Sequence, residues 1–242
     1  MGQEIGLSSY QGPGAKRVFD ERGTAAVKHG QLYEPVSADK FVDWVKSKDI
    51  ESQFSDIVLI TRWRDQTYNI NPGYDVPLVP HPFFPHPDDY QLFGVSLDMR
   101  GSVIDVEIKN PVTYRSLYSN YLESINPIYF AQVQWAMAIR QRKQMFFVAT
   151  SFDQETGAHL GTVVWHVLFA EKFFREFIYP RARAAALAIR DGNPNPVSWV
   201  NKGGAFTKSD TYKNLMSEFC RRVFVWKNGR AIAAIISKTH KK

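Results

Sequence analysis

Residues 104–109 read Ile-Asp-Val-Glu-Ile-Lys, a strict alternation of apolar and charged side chains. Successive side chains on a β-strand leave opposite faces, so this period of two marks a strand with one face on a core. Ile104, Val106 and Ile108 point one way; Asp105, Glu107 and Lys109 point the other. The pattern predicts two strands, over 92–97 and 102–109, meeting at the turn Met99-Arg100-Gly101. Asp98 stands at the end of the first strand. If the two strands pair, its carboxylate and that of Glu107 converge within a few ångströms.

Two carboxylates that close repel each other, and burying them costs several kcal/mol unless a cation joins them. A divalent metal resolves the conflict. Mg2+ prefers oxygen ligands and keeps several waters. It can bind a scissile phosphate and lower the pKa of an attacking water. Lys109, on the same face two residues beyond Glu107, would reach that phosphate, to orient the water or stabilise charge developing on the phosphorus oxygens. The bland alternative is a solvated face, which is what most Glu-x-Lys strands are.

The rest of the chain reads as alternating elements. Residues 1–14, with Gly2, Gly6, Gly12, Pro13 and Gly14, are loop. A helix over 15–29 breaks near Gly23, and from Gln31 to Ser47 the apolar positions Val36, Phe41, Val42 and Val45 recur at helical spacing. The stretch IVLITRW at 57–63 is a buried strand. The prolines from Pro72 to Pro87 make 72–89 an extended loop. Asn126 caps, and Pro127 starts, a helix running to about Gln144. Strands follow over 145–152 and 162–169, then a helix over 171–190 interrupted at Pro180. After a loop over 191–210 come a helix around 211–221 and either a hairpin at Asn228-Gly229 or another helix. This order predicts an α/β fold, a mixed central sheet flanked by helices. It is expected to form a single domain over 1–242, with a core over about 5–190 and a C-terminal extension over 191–242.

Thirty Lys and Arg against twenty-four Asp and Glu leave a net charge of +6, which permits a polyanionic partner such as nucleic acid without requiring one. A hydrophobic share of 44% and a charged share of 22% exclude wholesale disorder. The lone cysteine, Cys220, excludes an intramolecular disulfide framework and a zinc site built on several thiolates. No apolar run approaches the ~18 residues of a membrane span. The opening MGQEIGLSSY lacks the basic-then-apolar order of a signal peptide. The protein is therefore expected to be soluble and intracellular, with no membrane partner. No nucleophile elbow and no phosphate-cradling glycine loop is visible. His81 and His86, with no third ligand nearby, read as loop residues rather than a zinc site.

Four segments occur in a telling order: Gly30-Gln31-Leu32-Tyr33-Glu34-Pro35, Ser96-Leu97-Asp98-Met99-Arg100-Gly101, Glu107-Ile108-Lys109-Asn110-Pro111 and Tyr129-Phe130-Ala131-Gln132-Val133-Gln134. Their order and spacing resemble the PD-(D/E)XK nucleases, and more narrowly the lambda-exonuclease-like (YqaJ) viral recombinase family. That family carries a G-x-x-x-E-P helix, an S-P-D-G turn, an E-I-K-x-P strand and a Y-x-x-Q-x-Q helix. The opening Gly6-Leu7-Ser8-Ser9-Tyr10 is similar to its L-G-x-S-x-Y segment. The resemblance spans roughly residues 5–170.

The resemblance implies a restriction-endonuclease-like fold and a Mg2+-dependent exonuclease, Mn2+ being able to substitute, that digests duplex DNA from its ends, 5′ to 3′. It further implies a role in DNA recombination, repair or replication, a ring-shaped homotrimer, and cooperation with a single-strand annealing protein. A viral origin would put the protein in the host cytoplasm or nucleus. Residue by residue, Asp98 and Glu107 match the metal carboxylates, the Ile108 carbonyl a further ligand and Lys109 the catalytic lysine. Glu34 matches a glutamate that holds a metal-bound water or a second metal, and Gln132 a glutamine that places the nucleophile or phosphate. Ser96 matches a serine that contacts a phosphate, and Tyr129 and Gln134 are further DNA-side matches. The turn reads Ser-Leu-Asp-Met-Arg-Gly rather than Ser-Pro-Asp-Gly, keeping the aspartate. The family binds the substrate's 5′-phosphate with an upstream arginine and a Ser/Thr-rich segment. Here Arg17, Arg22 or Lys28, with Ser8 or Ser9, are the candidates for those roles.

The apolar positions Ile128, Phe130, Val133, Trp135, Met137 and Ile139 surround their helix, which predicts that it is buried. Gln132 and Gln134 then need hydrogen-bond partners, and Gln132 is expected to face the acidic strand. Arg140, Arg142 and Lys143 form a basic helix end that either complements the helix dipole or contacts duplex phosphates. Arg175, Arg181, Arg183 and Arg190 form a solvated face or a DNA-facing wall. The Lys-rich tail adds weak, salt-sensitive DNA affinity. Two other readings remain open at this level: a structure-specific or nicking endonuclease on the same fold, and a catalytically silent DNA-binding subunit.

Overall fold

The computed structural model describes residues 21–47, 58–59, 76–77, 81–95, 97–100, 104–192, 209–227 and 230–232. Helix α1 (Glu21–Ser47) runs through Gly23 and Gly30 and carries Pro35 in its interior. The expected break at Gly23 is not observed. A glycine costs a helix only about 1 kcal/mol. The face that α1 buries, Ala38, Phe41, Trp44 and Val45, outweighs that.

Six short elements follow: β1 (Val58–Leu59), β2 (Val76–Pro77), α2 (Asp89–Leu92), β3 (Gly94–Val95), β4 (Met99–Arg100) and β5 (Asp105–Lys109). Next come α3 (Tyr114–Tyr121), α4 (Pro127–Arg140), β6 (Gln144–Phe152) and β7 (His159–Leu168). A broken helix consists of α5 (Glu171–Phe173), a π-helical turn (Phe174–Ile178) and α6 (Tyr179–Arg190). Helix α7 (Asp210–Phe219), β8 (Cys220–Lys227) and β9 (Arg230–Ile232) complete the described chain.

The main sheet has the strand order β1-β4-β5-β6-β7-β8-β9. Its β5–β6 pair is parallel and its other pairs are antiparallel. A separate antiparallel pair joins β2 and β3. The parallel pair requires a crossover, which α3 and α4 provide. Alternation along the strands divides the core. Ile104, Val106, Ile108, Phe146, Val148 and Val164 pack under α1. Met145, Phe147, Ala149, Val163, Trp165 and Val167 pack on the other side against α3, α4 and α7, through Leu117, Phe130, Val133, Tyr212 and Met216. The mixed α/β sheet flanked by helices is thus the fold observed.

Several boundaries differ from the sequence reading. Residues 92–97 are not one strand: α2 ends at Leu92 and β3 pairs with β2, away from the main sheet. Met99-Arg100, expected as a turn, is itself strand β4, with Met99 opposite Val106. Met99 is 1% exposed, and a turn would have left its side chain in water. Helix α4 starts as expected, with Asn126 Oδ1 accepting from the Ile128 N–H at 3.0 Å. It stops at Arg140, four residues early, where Gln141 turns left-handed at φ 54°. The break in 171–190 is the π-turn, immediately ahead of α6, which carries Pro180 in its first turn. In the C-terminal segment β8 pairs with β7 from Gly161↔Lys227 to Val167↔Cys220, and β9 pairs with β8, which fits the hairpin alternative. Among the described residues no helix is long and apolar enough to cross a membrane.

Gly161 on β7 faces α3 at very close range. A Cβ there would lie 2.8 Å from the Tyr118 hydroxyl, 3.0 Å from the Trp226 carbonyl and 3.1 Å from Leu117 Cδ2. Tyr118 is itself held on that carbonyl at 3.1 Å. Gly161→Ala is expected to destabilise the protein by about 1–3 kcal/mol through overpacking. Urea unfolding followed by tryptophan fluorescence measures this; an unchanged midpoint would contradict the close packing.

Candidate active site at the end of strand β5

Asp98 immediately precedes β4. Extending the antiparallel Met99↔Val106 register by one residue sets Asp98 beside Glu107. The contact is closed by the Ile108 N–H, which donates to Asp98 Oδ2 at 2.7 Å. A strand residue's N–H and C=O leave by the same edge. The Ile108 carbonyl therefore faces the Asp98 side as well. Glu107 is 2% exposed, and its Oε1 accepts from both Lys109 Nζ and Gln132 Nε2, the latter at 2.6 Å.

Helix α4 lies along the charged face of β5 and runs against it. Tyr129 meets Lys109, whose ammonium is 5.3 Å from the ring centroid. Gln132 meets Glu107. Arg140 meets Asp105, with Nε 2.9 Å from Oδ2. The eleven steps from 129 to 140 rise about 16 Å in a helix. The four steps from 105 to 109 span about 13 Å in a strand. The two elements therefore stay in step over the whole of β5. Tyr129 is steadied in turn by stacking with Tyr121 and Phe147, each ring centroid 6.0 Å away.

Burial alone would lower the Lys109 pKa, but the nearby charges of Glu107 and Asp98 and the hydrogen bond to Glu107 outweigh it and hold it above the ordinary lysine range. The lysine is thus a fixed cation beside two acids. Its side chain is 23% exposed, so it also reaches solvent, where a substrate would lie.

No protein-family model matches the chain, and no curated protein matches it. Among solved structures it is similar to an alkaline exonuclease (LHK-Exo) from Laribacter hongkongensis. That comparison has 18% identity and a TM-score of 0.39, covering 69% of this chain and 73% of the other. LHK-Exo in complex with dAMP matches at 18% identity and a TM-score of 0.40, covering 74% and 76%.

Not every expected site residue is brought to this place. Gln134 is fully buried and faces away: its Nε2 donates to the Leu168 carbonyl at 2.9 Å, and its Oε1 accepts from the Ala170 N–H at 2.7 Å. It fastens α4 to the exit of β7, and the expected DNA contact is corrected to a structural role. Arg140 and Arg142 are drawn onto Asp105, which is 0% exposed; Arg142 Nε lies 3.3 Å from Oδ2. Lys143 is exposed beyond the helix end. Arg183 and Tyr179 hold the buried Asp89 at 3.1 and 2.5 Å. Arg175 stacks on Phe83 and Arg181 on Phe177, at 4.6 and 3.8 Å. The His81 ring packs against Phe83 and accepts from that residue's N–H at 3.2 Å. Burial pushes the Cys220 thiol pKa up, away from reactivity. Ser8, Ser9, Arg17, Ser96, the Arg22 side chain and the Lys-rich tail lie outside the described residues.

Sequence reasoning passed over Asn110. Its Nδ2 donates to the Gly30 carbonyl at 3.1 Å, and its Oδ1 accepts from Ser37 Oγ. Gly30, Glu34 and Ser37 are spaced four and three apart, on one face of α1. Half-buried Glu34 therefore sits on the face that meets the end of β5. The signal in the sequence was a side-chain amide directly after the acidic strand.

The donors at this place suit a hard cation: carboxylate oxygens from Asp98 and Glu107 and the Ile108 carbonyl. Among the described residues no group of three His, Cys, Asp or Glu stands ready to hold a metal by itself. A cation here would complete its shell with water, as Mg2+ commonly does. Glu34 would stand outside the inner pair.

Proposed function

We propose that the protein is a divalent-metal-dependent deoxyribonuclease that degrades duplex DNA from its ends, with Mg2+ as the metal and Mn2+ as a working substitute. One observation carries the reading: Asp98 is fastened to the backbone of the strand that presents Glu107 and Lys109, with Gln132 on the same Glu107 oxygen. Asp98, Glu107 and the Ile108 carbonyl would hold the cation. When bound, it polarises a phosphodiester and acidifies water. Lys109 places a fixed positive charge where the phosphoryl oxygens gain negative charge, in a site that needs no reorganisation at that moment. Gln132 holds Glu107 in one rotamer, so the carboxylate is aimed before substrate arrives. Tyr129 confines the lysine from the opposite side.

The order of the four sequence segments supports an end-directed, 5′-to-3′ activity in DNA recombination, repair or replication of viral type. It likewise supports a ring-shaped homotrimer and an annealing-protein partner. The test is digestion of linear duplexes labelled at either end, with and without 5′-phosphate, beside covalently closed circular DNA. Nucleotides should be released from the linear duplex only when Mg2+ or Mn2+ is present, and EDTA should stop the release. Asp98→Asn should lower the rate about 10^3-fold or more. Cleavage of closed circles would replace the exonuclease reading by an endonuclease. Tight duplex binding without any metal-dependent product would leave a DNA-binding subunit instead.

A further inference from the structure

Strand β5 ends at Lys109, and the next residue grips α1 with both ends of its side chain. The Asn110 amide donates to the Gly30 carbonyl at 3.1 Å and accepts from Ser37 Oγ. Ser37 is 0% exposed, so its hydroxyl has no access to water as an alternative partner. Pro35 stands between the two gripped positions. A proline inside a helix removes one backbone hydrogen bond and crowds the preceding turn. The helix is therefore weakest next to Glu34, where the amide spans it. Tyr33, three residues after Gly30 and four before Ser37, helps fix the rotation of the same turn: its ring stacks on Phe152 at 4.5 Å and its hydroxyl donates to the Asp153 carbonyl at 3.4 Å. Of the side chains of this length, an amide alone offers one donor and one acceptor at once.

We propose that Asn110, together with Ser37, is a positioning residue that sets Glu34 at the C-terminal end of β5 as an outer carboxylate of the Asp98–Glu107 site. The proposal rests on reading that site as a metal-dependent nuclease centre. Asn110 touches neither substrate nor cation. It fixes the distance between α1 and β5, and through it the place of an acid that acts on the cation's water shell.

The experiment measures Mn2+ binding by calorimetry on the full chain, without DNA, alongside thermal unfolding of the metal-free protein. The variants are Asn110→Ala, Ser37→Ala, Glu34→Gln, Asp98→Asn and the double variant Asn110→Ala/Glu34→Gln. Asn110→Ala and Glu34→Gln should each weaken Mn2+ binding about tenfold, as removal of a group supporting a metal site does. The double variant should bind no more weakly than Glu34→Gln alone, because both changes remove one contribution. A purely structural role would instead lower the unfolding temperature and leave the affinity of the folded protein unchanged. If Asn110→Ala unfolds, Ser37→Ala carries the same test. Wild-type affinity in Asn110→Ala or Ser37→Ala, with Asp98→Asn impaired, overturns the clamp alone. So does wild-type affinity in Glu34→Gln, or a double variant whose losses add. Mn2+ binding that survives Asp98→Asn overturns the metal reading and the clamp with it.

Discussion

Lys109→Ala is expected to destabilise the metal-free protein and to abolish hydrolysis, and the two losses should respond oppositely to added cation. Glu107 is 2% exposed and takes its charged hydrogen bond from Lys109. Removing the ammonium takes a cationic partner from a buried carboxylate, and the Gln132 amide, a neutral donor, does not balance the charge. Breaking a buried pair in this way costs roughly 3–5 kcal/mol, and the partial exposure of Lys109 places the expected loss near 2–4 kcal/mol. A divalent cation at Asp98 and Glu107 supplies the missing positive charge. Mn2+ should therefore raise the melting temperature of Lys109→Ala by more than it raises that of the parent protein. Activity should stay about 10^3-fold down even in saturating Mn2+, because the cation cannot also stand where the ammonium meets the phosphoryl oxygens. Calorimetric melting with and without Mn2+, and end-labelled duplex digestion, read the two effects separately. Equal melting shifts in both proteins would mean that the cation does not share Glu107 with the lysine. Hydrolysis near the parent rate would remove Lys109 from the mechanism.

The strand that carries these groups was legible because its alternation is strict and its neighbours are helices with clear starts. Ile104, Val106 and Ile108 turn to one side and Glu107 and Lys109 to the other, as a period of two requires. Asp98 was legible as an acid close in sequence to a paired strand, although it immediately precedes strand β4 rather than ending the strand expected over 92–97. The two glutamines on α4 show where reading along the chain ends. Residues two apart on a helix differ by about 200° in direction. Gln132 and Gln134 could never have faced one site together. Which of them faced it depended on how α4 was rotated, and the buried Trp135, Met137 and Phe130 surround the helix too evenly to say. Asn110 lay beyond reach for another reason: its partners are 80 and 73 residues away, and no local pattern announces a contact of that range.

Asp105 is the sharper case, since it shares a face with Glu107 and nothing in the sequence separates the two acids. Asp105 is 0% exposed and accepts from Arg140 Nε at 2.9 Å, Arg140 Nη2 at 3.4 Å and Arg142 Nε at 3.3 Å. It lies at the start of β5, while Glu107 and Lys109 lie toward its end. Two guanidiniums on one carboxylate tie the C-terminal end of α4 to the strand, which keeps helix and strand in register down to Gln132. Asp105→Ala should therefore cost roughly 3–5 kcal/mol, because it removes the buried carboxylate that two mostly buried guanidiniums share. Asp105→Asn should cost less, since the amide oxygen still accepts one of the guanidinium hydrogens. Mn2+ affinity and hydrolysis per folded molecule should change little in Asp105→Asn, measured well below its melting temperature. That outcome would divide the acidic face by role: one acid holds the helix, the next holds the cation. A loss of Mn2+ affinity in Asp105→Asn as large as in Asp98→Asn would move the cation toward the start of β5, and would make Arg140 and Arg142 its neighbours rather than structural partners of a buried carboxylate.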